Sequence, residues 1–319
     1  MKFYPLIFEP IFKDRIWGGS KLKSYLNKYI VSETTGESWE ISSIPGDISV
    51  VNTGVLKGKN INEIIELYPE EILGKNVIAR FGNQFPLLFK FIDAKEDLSI
   101  QLHPNDALAK ERHNSFGKTE MWYVMQADES ARLVVGFKKD SNREEYVSHL
   151  ENKNLVALLN ESLVKKGDVF FLETGTIHAI GAGVVVAEIQ QTSDVTYRIY
   201  DWDRLDVNGQ GRELHTELAL DAINYNATQS KIEYKEEANQ SVSVVDCPYF
   251  KTKIVALQDR FIWKKTKDAF TVFMCTNGQF EMVVNGEILR YNMGDTILIP
   301  AIIEHVTLKG KATLLEISI

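Results

Sequence analysis

Two polar side chains, Gln101 and His103, stand two positions apart in a segment that alternates polar and apolar residues. Ser99, Gln101 and His103 take every second position, with an isoleucine and a leucine between them. This is the period of a β-strand with one polar and one apolar face. Residues two apart on a strand point the same way, as the ligands of a mononuclear metal site must. Taken alone, the pair is equally compatible with a hydrogen-bonded polar face.

Two later residues, Glu120 and His178, would complete a metal site. Glu120 opens a second predicted strand, which is rich in aromatic and β-branched residues. His178 follows a Gly-Asp turn at 167–168, an apolar strand and a tight turn at Gly175. His178 by itself could be a core or turn histidine. The four side chains together predict a metal site, because imidazole and carboxylate groups are common zinc ligands.

Size and composition limit the class of protein. The 319 residues are enough for about two domains, and the net charge of −8 argues against nucleic acid or an anionic membrane as the main partner. An anionic ligand would therefore need a local cluster of basic side chains.

The expected compartment follows from the cysteines and the N-terminus. Cys247 and Cys275 have no CxxC spacing, which favours a reducing cytoplasm, although one disulfide between them is compatible with their number. Pro5, Glu9 and Pro10 interrupt any apolar run typical of a signal peptide. No stretch approaches the roughly 18 apolar residues of a membrane span. We expect a cytoplasmic protein without a membrane or nucleic-acid partner, and we expect it to be a monomer.

Most of the chain is predicted to form short β-strands separated by Gly, Asn and Asp turns, which is typical of an all-β sandwich or barrel. Helical spacing occurs in four segments: 62–74, where Gly74 would end one or two short helices, 106–113, 143–159 and 216–223. Segment 226–240 is polar and charged, so we place the domain boundary there.

An internal repeat indicates that one barrel occurs twice. Gly167-Asp168 precedes His178 by the same spacing as Gly294-Asp295 precedes His305, and an apolar strand lies between in both copies. The second copy has no His-x-His or Gln-x-His upstream of His305, and segment 266–270 offers only an isolated Asp. We therefore expect the second barrel to be metal-free and structural.

The order of these motifs resembles that of the cupin barrel, and the whole chain resembles the short bacterial form of the type I mannose-6-phosphate isomerases. The matching stretches are, in order, 16–19 (IWGG), 37–40 (ESWE), 99–105 (SIQLHPN), 118–122 (KTEMW) and 197–204 (YRIYDWDR). The expected fold is all-β dominated: two cupin (double-stranded β-helix, jelly-roll) barrels with a few short helical insertions. The catalytic barrel, with N-terminal strands and the helical insertions, would cover 1–235, and the metal-free barrel 236–319. Longer relatives contain a large helical insertion for which this chain lacks room, so pocket contacts from it are not carried over.

The resemblance also implies roles for individual residues. It makes four side chains the ligands of one zinc ion: Gln101, His103, Glu120 and His178. It makes Arg198 the active-site arginine and places Lys118 in the substrate pocket as a second catalytic candidate. The implied substrate-binding residues are Trp17, Lys90, Ser99, Lys118 and Arg198.

The implied reaction interconverts D-mannose 6-phosphate and D-fructose 6-phosphate by moving a proton between C2 and C1 through a cis-enediol. A zinc ion with one carboxylate and otherwise neutral ligands keeps a net charge near +1 and can stabilise the developing oxyanion. The guanidinium of Arg198 can hold a phosphate or an enediolate bidentately. Lys118 and a zinc-bound water are equal candidates for the base. Gln101 could instead hydrogen-bond another ligand, because an amide oxygen binds metal weakly.

Two other functions could use the same site: an Fe(II) cupin oxygenase and a cupin that binds a sugar phosphate without catalysis. Oxygenases usually present two or three His, whereas Gln101 stands in a His place here. Lys118 and Arg198 beside the ligands favour chemistry over binding alone. Three tryptophans are interpreted as core or pocket wall: Trp17, Trp39 and Trp122.

Overall fold

The computed structural model describes residues 2–205 and 208–319. It is dominated by β-strands, and its helices are short, as the sequence predicted. The strands are β1 Ile11–Gly19, β2 Thr35–Ile41, β3 Ser43–Ile44, β4 Asp47–Ile48, β5 Leu87–Ala94, β6 Ile100–Leu102, β7 Glu120–Ala127, β8 Arg132–Phe137, β9 Leu159–Leu163, β10 Val169–Leu172, β11 His178–Ile180, β12 Val184–Gln191, β13 Tyr197–Tyr200, β14 Lys231–Ile232, β15 Ser241–Asp246, β16 Lys251–Leu257, β17 Arg260–Lys264, β18 Thr271–Val284, β19 Glu287–Asn292, β20 Thr296–Ile299 and β21 His305–Ser318. The α-helices are α1 Lys21–Ser24, α2 Ile61–Leu67, α3 Pro69–Ile72, α4 Lys75–Phe81, α5 Asp106–His113, α6 Arg143–Glu151 and α7 Thr216–Leu220, with 3₁₀ helices at Gly54–Leu56 and Leu155–Leu158.

The first barrel is formed by two antiparallel sheets. The larger sheet has the strand order β1-β2-β5-β12-β7-β10-β14, and the smaller one has the order β13-β6-β11-β8-β9. Side chains such as Trp122, Leu133 and Phe170 fill the space between them. β5 and β12 are buried along their whole length, because their outer faces are covered as well. The architecture is that of a cupin jelly roll.

The second barrel contains β15 to β21, and its two 14-residue strands β18 and β21 pair along most of their length. Its interior is closely filled by apolar side chains, among them Trp263, Phe273 and Phe280. A separate apolar cluster joins the two barrels through the helices α2 to α4. The N-terminal segment also reaches the second barrel, where Leu6 and Leu298 exchange backbone hydrogen bonds of 2.8 and 2.9 Å.

The internal repeat is visible in the backbone. Gly167 and Gly294 have φ angles of 93° and 95°, which glycine adopts at little cost, and each lies just before an inner strand, β10 or β20. The side chain of the following aspartate accepts a hydrogen bond from a backbone N–H three residues earlier in both copies, at 3.0 Å in the first and 2.7 Å in the second. The two turns are therefore built alike, which confirms the predicted duplication.

The predicted helices are present, but several are shorter than expected. Segment 62–74 forms α2 and α3, and Gly74, at φ 85°, separates them from α4, which the sequence analysis did not predict. Segment 106–113 is helical over its full length, because Asn105 caps it by accepting a hydrogen bond from the Leu108 N–H. The helices predicted over 143–159 and 216–223 end early, at Glu151 and Leu220. None of the helices in the described residues has the length and apolar character needed to cross a membrane.

Candidate metal centre and substrate pocket

The smaller sheet of the first barrel aligns three of the predicted site residues in one row. On the adjacent strands β13, β6 and β11, Arg198 is the register partner of Gln101, and Gln101 is the partner of His178. Register partners on neighbouring strands project from the same face of a sheet. His103 lies just beyond the end of β6, two residues after Gln101, and so returns to that face.

Three of the predicted ligands converge in the interior. His103, Glu120 and His178 are all buried, and their potential ligand atoms lie within 4.8 Å of one another. The Nε2 atom of His103 is 3.5 Å from Oε2 of Glu120, and Nε2 of His178 is 3.5 Å from Oε1 of the same carboxylate. Within the described residues, this is the one group of three or more His, Cys, Asp or Glu side chains with such a geometry.

Both imidazoles direct the lone pair of Nε2 toward this centre. The Nδ1–H of His103 donates to the carbonyl of Val195 and that of His178 to the carbonyl of Thr176, each at 2.9 Å. A carbonyl only accepts, so the hydrogen must be on Nδ1 and the lone pair on Nε2, as in many metal-bound histidines. Burial lowers the pKa of His178 to about 4 and that of His103 well below its usual value, so both rings are neutral near pH 7.

The chemistry of this donor set fits a divalent cation. Nε2 of His103 and both carboxylate oxygens of Glu120 are buried without a hydrogen-bond partner among the described residues. Buried polar atoms are rarely left unpaired in this way. Burial also raises the pKa of Glu120 to about 7, even though the ammonium of Lys118 lies 3.3 Å from its Oε2. A cation held by these three side chains would satisfy all of the unpaired atoms.

Gln101 adjoins the three predicted ligands and contacts both His178 and Ser99. Its Nε2 lies 3.5 Å from Nε2 of His178, and its Oε1 accepts a hydrogen bond of 3.3 Å from the Ser99 hydroxyl. An amide oxygen is the atom that would bind a metal, and here it faces Ser99.

The larger sheet contributes a second row, opposite the first. Trp39, Lys90, Glu188 and Trp122 are register partners in turn across β2, β5, β12 and β7. The ring centroids of Trp122 and His178 are 5.3 Å apart, so the two rows meet at the candidate metal centre.

A buried ion pair occupies the middle of this second row. Nζ of Lys90 lies 3.1 Å from Oε1 of Glu188, while the Trp122 indole N–H donates to Oε2 at 2.8 Å. Burial alone would raise the pKa of Glu188, but the ammonium groups of Lys90 and Lys118 outweigh it and hold the value at about 2. Burial likewise opposes the charge of Lys90, yet Glu188 and Glu37 raise its pKa above the usual value. Both groups are therefore charged in the folded protein.

A pocket of about 500 Å³ opens between the two rows. Seven of the predicted metal- and substrate-binding residues line it: Trp17, Lys90, Ser99, Gln101, Lys118, His178 and Arg198. His103 and Glu120 lie behind this surface, in contact with His178 and Lys118. The structure thus brings the predicted site residues together in one place.

Arg198 is held by neutral groups. Its Nε–H donates to the Ser99 hydroxyl at 3.3 Å and its Nη1–H to the carbonyl of Glu213 at 2.8 Å. Among the described residues, no carboxylate oxygen lies within 4.0 Å of its guanidinium. A half-buried arginine without a carboxylate beside it is suited to binding an anion in the pocket.

Several pocket residues were not identified from the sequence. They are Arg15, Glu37, Glu188, Asp194, Thr196 and Arg212. Glu188 could have been found, because it is the one charged residue in the otherwise uncharged strand β12. Lys90 could have been found for the same reason, because it is the one charged residue in the apolar first half of β5. Arg212 lies in an irregular segment, where the sequence has no periodicity that could indicate which way its side chain points.

The second barrel has no comparable centre at the position that the repeat indicates. His305 opens β21, as His178 opens β11, but its side chain is exposed to solvent. The space that corresponds to the pocket contains the apolar core of the second barrel. That this barrel binds no metal stays a prediction.

Sequence comparisons identify relatives along the whole chain. Residues 6–130 match the profile of the type I phosphomannose isomerase catalytic domain, and residues 240–319 match that of the mannose-6-phosphate isomerase cupin domain. A probable mannose-6-phosphate isomerase of Bacillus subtilis is 36% identical over 96% of each chain. The mannose-6-phosphate isomerase of Streptococcus mutans is 36% identical over 93% of this chain and 92% of its own length.

Solved structures give the same result. The mannose 6-phosphate isomerase of Bacillus subtilis superposes with a TM-score of 0.91 at 34% identity, over 99% of this chain and 100% of its own. A phosphomannose isomerase variant from Salmonella typhimurium superposes with a TM-score of 0.81 over 99% of each chain. At 16% identity, the second match supports the fold alone.

Proposed function

The chain belongs to the type I phosphomannose isomerase family, and from this premise we propose that it interconverts D-mannose 6-phosphate and D-fructose 6-phosphate through a cis-enediol, with one zinc ion held in the first barrel. It is an enzyme of the aldose–ketose isomerase class. One observation carries the details of the proposal. The unpaired atoms of His103 and Glu120 converge with the His178 imidazole directly behind a pocket that is lined by the cations of Lys118 and Arg198.

We assign the zinc to His103, Glu120 and His178, with Gln101 as a fourth ligand or as the hydrogen-bond partner of His178. When bound there, the metal supplies Lewis-acid stabilisation of negative charge on the substrate oxygens. The protein fixes the two imidazoles for this task through the carbonyls of Val195 and Thr176. It leaves Glu120 as the single carboxylate of the set, so the centre keeps a net positive charge.

Lys118 is assigned to the proton transfer between C2 and C1. Its buried ammonium lies 3.3 Å from Glu120 and lines the pocket, so it can reach a sugar bound next to the metal ligands. This position suits either direct proton transfer or electrostatic stabilisation of the enediolate. The surrounding tryptophans, Trp17, Trp39 and Trp122, exclude bulk water from that region.

Arg198 is assigned to the negative charge that develops during enolisation. It follows Ser99 and Gln101 along one line of side-chain contacts that ends at His178. Its planar guanidinium can donate two hydrogen bonds to adjacent oxygens, as a 1,2-diolate requires.

We also propose that the chain divides into a catalytic unit over 1–235 and a structural, metal-free barrel over 236–319. The filled apolar interior of the second barrel supports this assignment. Its contribution would be the burial of the outer face of the larger sheet and of helices α2 to α4.

Coupled assays test the proposed function. Purified protein is assayed with mannose 6-phosphate, fructose 6-phosphate and glucose 6-phosphate, before and after chelation and after restoration of zinc. We expect activity with the first two substrates that is lost on chelation and recovered with zinc. Activity confined to glucose 6-phosphate, an oxygen-dependent reaction with iron, or unchanged activity in the fully chelated protein would each reject it.

A further inference from the structure

Arg212 is held rigidly at the same pocket by a buried carboxylate. Its Nε–H donates to Oδ2 of Asp201 at 2.7 Å and its Nη2–H to Oδ1 at 2.5 Å. Asp201 is only 5% exposed, so the pair is largely shielded from water. A two-point contact of this kind fixes the plane of the guanidinium and therefore the direction of its remaining N–H groups.

Positive charge is in excess around this arginine. Asp201 is shared, because Arg204 also donates to its Oδ1, at 2.5 Å. Arg198 adds a third guanidinium, which has no carboxylate partner among the described residues. Burial lowers the pKa of Arg198, and the positive charge of Arg212 lowers it further, as expected for two cations close together. The exposed carboxylates of Asp14 and Asp194 line the same pocket, and the carboxylate of Glu213 acts on Arg198 in the opposite direction, raising its pKa. These groups offset part of the positive charge, but none of them pairs with Arg198 or Arg212.

The excess is confined to one end of the pocket. Elsewhere each basic side chain has a carboxylate of its own. The pairs are Arg15 with Glu37 at 3.0 Å, Lys90 with Glu188 at 3.1 Å and Lys118 with Glu120 at 3.3 Å. Apart from the proposed metal centre, the end formed by Arg198 and Arg212 is therefore the part of the pocket that most favours an added anion.

The two arginines differ in their relation to the metal ligands. Arg198 is linked to His178 through Ser99 and Gln101, whereas the recorded side-chain contacts of Arg212 go to Asp201. In a hexose 6-phosphate, the reacting carbons C1 and C2 and the phosphate are at opposite ends of the carbon chain. A substrate with C1 and C2 at the metal centre would extend its phosphate past Arg198.

We propose that Arg212, oriented by Asp201, binds the 6-phosphate group of the substrate and thereby selects phosphorylated sugars, while Arg198 serves the reacting end. This inference rests on the proposed function and assigns a specificity-determining residue within it. Asp201 is a positioning residue, because it acts only through Arg212. The assignment predicts that phosphate recognition and catalysis can be separated by mutation.

The experiment compares Arg212→Ala and Arg212→Lys with wild type under three conditions. These are isomerisation of mannose 6-phosphate, isomerisation of unphosphorylated mannose, and competitive inhibition by inorganic phosphate. For Arg212→Ala we expect KM for mannose 6-phosphate and Ki for phosphate to rise roughly tenfold to a hundredfold, the usual effect of losing hydrogen bonds to a charged group. We expect kcat to stay within about threefold of wild type and kcat/KM for mannose to be unchanged. Arg212→Lys should recover part of the phosphate affinity.

Two further variants serve as controls. Asp201→Asn should raise KM in the same direction as Arg212→Ala, since it weakens the bidentate contact without removing the guanidinium. Arg112→Ala removes an arginine that pairs with Asp221 away from the pocket, and it should leave both constants unchanged. The structure of Arg212→Ala is checked by its melting temperature, and Arg212→Lys provides the same comparison if the alanine variant unfolds.

The inference is overturned if Arg212→Ala lowers kcat with KM and Ki unchanged, or if it lowers kcat/KM for mannose as much as for mannose 6-phosphate. Its failure can be told from failure of the proposed function. Were the wild type inactive with mannose 6-phosphate, binding of inorganic phosphate measured by calorimetry in wild type and Arg212→Ala would still decide the role of Arg212. Equal phosphate affinity in the two proteins rejects the phosphate site.

Discussion

Lys90 and Glu188 stand directly opposite each other on β5 and β12, and their side chains form a buried ion pair with Nζ 3.1 Å from Oε1. Removing two charges from water costs several kcal/mol per ion, and the pair offsets this cost only while both partners are present. Each charge here has a second partner, since Glu37 acts on Lys90 and the Trp122 N–H on Glu188. The pair therefore fixes two side chains that line the pocket, and losing either partner would destabilise the folded protein.

Breaking this pair should destabilise the protein more than replacing it. We expect Glu188→Gln to lower the free energy of unfolding by about 3–5 kcal/mol, because it leaves the Lys90 ammonium buried without its nearest partner. Adding Lys90→Met should restore most of the stability, while activity stays low in both variants since both side chains line the pocket. Urea unfolding and isomerase assays measure the two effects. A double variant no more stable than Glu188→Gln would contradict this account of the pair.

The sequence was informative where local periodicity decides the structure. The alternation around Gln101 predicted that Gln101 and His103 share a face, and the pairing of β6 with β11 places His178 beside them. The duplicated Gly-Asp turns predicted two barrels because both require the same backbone at Gly167 and Gly294. Asn105 marked the start of α5 through its capping side chain.

Other features depend on contacts that no local pattern encodes. The short helix α4 buries Val77 and packs Ile78 and Phe81 partly against the core, but its seven residues are too few to show a clear helical period in the sequence. Arg212 lines the pocket from a segment without regular structure, where Asp201 accepts its hydrogen bonds. The helix predicted over 143–159 ends at Glu151, and the chain turns at Lys153, which has a φ of 53°. Tertiary packing decided these positions.

Metal binding should depend on the three converging ligands. We expect His103→Ala, Glu120→Ala and His178→Ala each to lose both metal and activity. In each variant one proposed metal ligand is missing. Gln101→Ala should be milder if Gln101 only hydrogen-bonds His178. Elemental analysis of the purified variants gives the metal content. Full retention of metal in His178→Ala would show that His178 is not a metal ligand.

His305→Ala is the matched control for His178→Ala, because the repeat gives the two histidines equivalent positions. Its exposed side chain leads us to expect unchanged metal content and an isomerase rate close to wild type. Any effect should be a small loss of stability in the second barrel. Loss of the metal in this variant would show that the metal centre lies in the second barrel, contrary to our assignment.

A lysine of the second barrel should make stability depend on pH. Burial lowers the pKa of Lys265 to about 8 from 10.5, even though Glu304 and Asp268 oppose the shift. Between these values the unfolded chain binds more protons than the folded one, so this residue makes the free energy of unfolding increase as pH rises from about 8 to about 10.5. Allowing for partial solvent screening, we expect an increase of about 1–2 kcal/mol.

Urea unfolding at several pH values tests this effect as a difference between wild type and Lys265→Gln. The variant should lack the increase, whereas Lys267→Gln, which removes an exposed lysine paired with Glu304, should retain it. Parallel pH profiles for wild type and Lys265→Gln would show that Lys265 is charged equally in both states.

Arg198 allows charge and geometry to be altered separately. Arg198→Lys keeps a cation but loses the planar fork, while Arg198→Ala loses both. Hydrogen bonds to charged groups contribute roughly 1.5–3 kcal/mol each, and each 1.4 kcal/mol is about tenfold in rate. With the loss of two such bonds, we expect Arg198→Ala to reduce kcat/KM by at least roughly two to three orders of magnitude. Arg198→Lys should recover part of this loss.

The kinetic constant that changes identifies the role of Arg198. If Arg198 stabilises the enediolate, kcat falls, whereas an arginine that binds phosphate equally in ground and transition states raises KM and preserves kcat. We expect the fall in kcat, because Arg198 is linked through Ser99 and Gln101 to the proposed metal ligand His178. The metal should stay bound in both variants, since Arg198 is not a ligand, and the melting temperature shows whether the lost contact with Glu213 disturbs the fold. Activity near wild type in Arg198→Ala would exclude this residue from the mechanism.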